Sequence, residues 1–166
     1  HAEGGRTGDD NSSVTINNIK RTGSIAEGDL SHAEGRQTYA GGKSSHAEGS
    51  ITTASGNSSH AEGNNTVASG NYSHAEGERT QAKGNASHAE GIQTRANQKC
   101  CHAEGSYSKA IGEYSHAEGS NTEALGTSSH AEGSYSKAQG NKSHSEGSYS
   151  EAIGYASHAE GVYTVA

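Results

Sequence analysis

Histidine followed two residues later by glutamate is a pairing that can bind a divalent ion, move a proton or make a buried hydrogen bond. Here it recurs at a fixed interval. The pairs are His32 and Glu34, His46 and Glu48, His60 and Glu62, His74 and Glu76, His88 and Glu90, His102 and Glu104, His116 and Glu118, His130 and Glu132, His144 and Glu146, and His158 and Glu160. Imidazole and carboxylate on one strand face suit a zinc- or nickel-type ion. The same groups can instead form a neutral His-to-Glu hydrogen bond repeated between subunits. Serine precedes all but one of these histidines, so the side chains of a hydrolase are present, but as strand neighbours in near-identical copies. A hydrolase needs one oriented constellation with an oxyanion hole. Nothing breaks the repeat to build one, and no enzyme activity is expected.

The element that must position these pairs is the repeat itself. The unit is S-H-A-E-G-x-x-T-x-A-x-G-x-x, 14 residues long, and its halves share the form [S/T]-x-A-x-G-x-x. Each half starts with a short alternating segment, which reads as a strand, and then reaches glycine and polar residues, which read as a turn. Fourteen residues is too short for a helical hairpin and suits one flattened coil of a β-solenoid. The expected fold class is therefore all-β, a parallel β-solenoid. Coils stacked at about 4.8 Å would make ten of them roughly 50 Å long.

Alternation also assigns the faces. Ala33 and its counterparts, with Ser145 as the one exception, fill one column, and Ala40 and its counterparts fill the other. These face inward. Thr38, Thr52, Thr66, Thr80, Thr94 and Thr122 share their side, so they are expected inside, which argues against an ice-binding threonine face. His and Glu point outward from the first strand. The outward positions of the second strand accept Tyr39, Thr53, Val67, Gln81, Arg95 and Lys109 in turn. A solvated face has no physical reason to keep His and Glu ten times while its opposite varies freely. The His/Glu face is therefore expected to be a subunit interface. Rings stacked about 5 Å apart cannot all ionise cheaply, and protonating all eleven histidines moves the formal charge from −7 to +4. Assembly or stability is expected to change near pH 6.

Composition sets outer limits. Only 28% of the residues are hydrophobic, Phe, Trp, Met and Pro are absent, and glycine numbers 24. That polarity alone would suggest disorder, but a register kept through ten copies argues for order. The net charge of −7 leaves no basic footprint for nucleic acid. No apolar stretch reaches the roughly 20 residues that span a bilayer, so no membrane insertion is expected from this segment. The chain opens in mid-phrase at His1 and closes in mid-repeat at Ala166, as expected of a mature product or an excerpt of a longer protein.

Three features interrupt the pattern. Residues 1–23 are non-repetitive, with His1 31 residues before His32 and so out of register. This segment is expected to be a cap, an inserted loop or a linking strand, with a short strand around Val14-Thr15-Ile16 and Ile19. Residues 24–166 form the array, beginning with the half-repeat Ser24–Leu30. Gln98 replaces a turn glycine, and Cys100-Cys101 follows it; the cysteines are open to an interchain disulfide or to one buried and one exposed thiol. Tyr107, Tyr135, Tyr149 and Tyr163 share one turn column, a surface ladder or a contact strip for a receptor or glycan.

Over residues 24–166 the unit resembles the head repeat of YadA-like trimeric autotransporter adhesins, S-V-A-I-G-x-x-A-x-A-x-G-x-x-S, in its small-residue and glycine positions. The resemblance implies a left-handed parallel β-roll and a homotrimer around a threefold axis. His32, Glu34 and their counterparts stand where that family places Val and Ile against the axis, which implies a polar, hydrogen-bonded axis. The HAEG phrase also resembles repeats of phage fibre and appendage proteins. The reading is an extracellular fibre or adhesin segment at a cell or virion surface. It would associate with itself, end to end as well as laterally, and contact a host receptor or glycan without metal or cofactor. The alternatives are a phage tail-fibre or appendage shaft and a metal-binding solenoid.

Overall fold

In a computed structural model, residues 23–166 are described throughout. Before them only the strands Ala2–Glu3, Ser13–Ile16 and Ile19–Thr22 are described, as backbone. The described residues hold strands and turns and no helix. No helix among them is long and apolar enough to cross a membrane.

Each repeat makes one coil. Its first half gives a five-residue strand, His32–Arg36 in the first repeat and His158–Val162 in the last, and its second half a two-residue strand such as Tyr39–Ala40. All the five-residue strands lie parallel in one sheet and the two-residue strands in a second. Pairing joins each residue to its equivalent one repeat on, for instance His60 to His74, Ala61 to Ala75 and Glu62 to Glu76. Identical side chains therefore stack in columns.

The interior is as thin as the alternation requires. Ala33, Ala40 and their counterparts through Ala138 have no exposed surface, and the threonines from Thr38 to Thr122 are equally enclosed. From Ser45 onward the serine before a histidine closes the turn: the hydroxyls of Ser45, Ser59 and Ser73 donate to the carbonyls of Gly42, Gly56 and Gly70 at 2.6–2.7 Å. At the outer turns the Asn57, Asn71 and Asn85 amide oxygens accept from the backbone N–H one coil below. Every seventh residue from Leu30 to Tyr163 adopts φ of 51–59°, whatever its type, Ile51 included. Such a backbone is costly for a β-branched residue. It is held because, from Ser44 to Tyr163, the N–H of these residues, as in Ile51 to Arg36 O at 2.8 Å and Asn65 to Ser50 O at 2.8 Å, bonds the preceding coil.

The start of the chain differs from the sequence expectation in one respect. Ala2–Glu3 pairs in parallel with Ala33–Glu34, Ala to Ala and Glu to Glu, so the first HAEG phrase stands in register with the array. The two-residue strand Ile25–Ala26 pairs with Tyr39–Ala40. These two strands are the halves of one coil, and the 31-residue spacing reflects chain intervening between them. That intervening chain includes an antiparallel hairpin, Ser13–Ile16 against Ile19–Thr22, with Ile16 opposite Ile19. His1 itself lies outside the described residues.

Candidate functional site

The five-residue strands present the histidines and glutamates on one outward face. Adjacent imidazole centroids are 4.7–4.9 Å apart from His32 to His158. From His46 onward the rings lie within 15° of parallel, whereas His32 meets His46 at 68°. Within a coil, His Nε2 and Glu Oε2 are 3.4–3.9 Å apart in the nine pairs from His32–Glu34 to His144–Glu146. The pairs are half-buried. The Nε2 atoms of His46, His60, His74, His88, His102, His116, His130 and His144 are nonetheless closed to solvent and lack a hydrogen-bond partner. A buried polar atom without a partner costs free energy.

The stack shapes the acid–base behaviour of these groups. His60, His88, His116 and His144 are held below the ordinary imidazole value, first by burial and then by the histidines on either side. The glutamates of the same coil and the one before it, such as Glu62 and Glu48 around His60, oppose the shift without cancelling it. These four rings bind protons more weakly in the folded chain than in the unfolded one, whose value is about 6.5. Their contribution is complete above pH 6.5 and is lost as the pH falls through the depressed folded values. In chelator-containing buffer, the melting temperature is expected to be lower at pH 5 than at pH 7.5, and a flat profile would refute the linkage.

The second strand's outward face carries a different chemistry. Lys109 Nζ lies 2.7 Å from Glu123 Oε1 and Lys137 Nζ 3.8 Å from Glu123 Oε2, forming an exposed charge ladder that sequence reading missed. The alternating signs at positions 109, 123 and 137, one coil apart, were the available signal. Beside it, Tyr135, Tyr149 and Tyr163 stack at 4.8 and 5.1 Å. Tyr107 stands apart, across Asn121, in a shallow groove shared with Gln93 and Arg95.

The two cysteines are separated by the fold. Cys101 occupies the buried serine column, and its thiol donates to Gln98 O at 2.8 Å, as serine does in the other turns. Burial raises its pKa. Cys100 is exposed on the turn. Gln98 N–H points to Cys101 Sγ at 3.2 Å, where the turn glycines of neighbouring coils bond backbone.

Fold and columns together define a class, a parallel β-solenoid with 14-residue coils, every one presenting the same His/Glu pair. The repeats are YadA-like head repeats: residues 47–73, 103–129 and 145–166 match the family described as YadA head domain repeat (2 copies). Heads of this family are a structural adhesin fold, homotrimeric and exposed at the cell surface. A comparison with curated proteins returned no match.

Proposed function

We propose that this chain is a structural segment of an extracellular, adhesin-like fibre, in which three copies pack with their His/Glu columns toward a common axis. The observation that carries the reading is the unbroken column of half-exposed imidazoles, each beside a carboxylate, along one outward face. A neighbouring copy can complete that face with hydrogen bonds between His and Glu of different chains. A core of alanine, serine and threonine buries little apolar surface, so lateral packing supplies burial that one coil stack lacks. The chain between Ala2–Glu3 and Ile25–Ala26 is then an inserted segment rather than a terminal cap, a reading supported by the pairing of those two strands with the array. Of the two thiols, Cys100 is the one placed to bridge copies. Attachment to a host surface belongs to the variable outward face, where the tyrosine ladder lies.

The test is the mass of the purified chain in solution by sedimentation equilibrium, at pH 8 with excess chelator and reductant. A trimer under these conditions supports the reading. A stable monomer would leave the columns in solvent and overturn it.

A further inference from the structure

The His/Glu columns also bring together sets of possible metal ligands within a single chain. The Nε2–Oε2 separation within a coil, 3.4–3.9 Å, begins near the edge of a tetrahedron. With metal bonds of about 2.0–2.2 Å that edge is roughly 3.4 Å. The next coil offers a third ligand. In the sets His102/Glu104/His116, His116/Glu118/His130, His130/Glu132/His144 and His144/Glu146/His158, one ligand atom from each residue lies within 4.8 Å of the others. The Nε2 atoms of His102, His116, His130 and His144 are the same atoms left without a hydrogen-bond partner.

We propose that these columns bind divalent first-row transition ions of the zinc class, through His–Glu–His sets that span adjacent coils. Two imidazoles and one carboxylate match such ions and not calcium or magnesium, which take all-oxygen cages. Consecutive sets share a histidine, and two dications one coil apart would sit about 4.8 Å from each other. Both facts restrict occupancy to sets that share no histidine, at most two of these four at a time. The second histidine of each set must swing by about an ångström to reach bonding geometry, a movement open to a half-exposed ring. The fourth position stays open to water or to a group from another copy. Each site is built from one chain, so the proposal does not depend on how many copies associate.

The experiment is a Co²⁺ titration of the chelator-stripped chain at pH 7.5, followed by visible absorption and reversed with Zn²⁺. The expected result is a saturable absorption band, displaced by Zn²⁺, that reaches its limit at no more than one ion per two coils. Combined His116→Asn and His144→Asn substitution removes one histidine from each of the four sets and should weaken binding at least about tenfold. If that variant fails to fold, the fourfold substitution Glu104→Gln, Glu118→Gln, Glu132→Gln and Glu146→Gln removes the carboxylate of every set, keeps every ring in the stack and should weaken binding similarly. Absence of a band above that of free Co²⁺ overturns the proposal, as does a band undiminished in the folded variants. Mass measured in chelator answers the trimer question separately, so the two readings can fail independently.

Discussion

Gly77→Ala should cost at least about 3 kcal/mol, lowering the melting temperature by roughly 6–12 °C. Two effects act together. Gly77 has φ of +107°, outside the left-handed region that L residues can enter, and its column keeps similar values from Gly35 to Gly161. A β-carbon there would also overlap the carbonyl oxygen of Gly91 in the next coil, a backbone atom that cannot turn aside. The coils must separate locally, with loss of ladder hydrogen bonds on both sides. In a solenoid each unit contacts only its neighbours, so hydrogen exchange should rise first around residues 74–92. Gly154→Ala is the matched control. Its φ lies outside the positive range, and an added β-carbon would meet only Ser157 at 3.5 Å and beyond. A change below about 0.5 kcal/mol is expected there. Equal melting temperatures for Gly77→Ala and the parent chain would show that the coil spacing is not set by this glycine column.

Ala131→Leu should be nearly as damaging, by about 3 kcal/mol or total failure to fold. Ala131 has no exposed surface and faces the second alanine column across the coil. Its neighbours above and below are Ala117 and Ser145, held at the ladder spacing. Larger side chains in ordinary cores are accommodated by small backbone shifts, but both sheets here are tied to their neighbours in every coil. Ala131→Ser separates volume from polarity. Ser145 already occupies this column and shares a hydrogen bond of 2.8 Å with Ser150, and Ser136 stands in the same relation to position 131. The serine variant should therefore change stability by less than about 1 kcal/mol. Thermal unfolding of both variants checks the pair. A tolerated leucine would mean that the two sheets can part, contrary to the close-packed core.

Much of this architecture was legible beforehand because the repeat is strict. A period of 14 with two alternating segments leaves little choice of element. The inward alanines and threonines and the outward His/Glu pairs follow from the two-residue periodicity of a strand. The turns were legible in place but not in conformation. The left-handed positions fall on Gln37, Ile51, Tyr107 and other unrelated residues, since the interstrand ladder imposes the geometry and no residue type announces it. The register of the first HAEG phrase was misjudged, because spacing along the chain cannot reveal that 31 residues close a coil of 14 when a hairpin lies between its halves. Which of Cys100 and Cys101 is buried was not legible, and the turn geometry decided it, since only Cys101 stands in the serine column.

What the amino-acid order alone determined is the coil: its length, its two strands, its small-residue core and the identity of each column. Those are local properties, set by side-chain volume and by the alternation of a strand. The tertiary structure decided how the columns act. Only stacking brings histidines fourteen residues apart to 4.8 Å, where the neighbouring rings oppose protonation of His60, His88, His116 and His144. Stacking likewise places a carboxylate and two imidazoles from adjacent coils within reach of one ion. These are distance-dependent interactions between residues far apart in the chain, and a distance exists only once the coils have closed on one another.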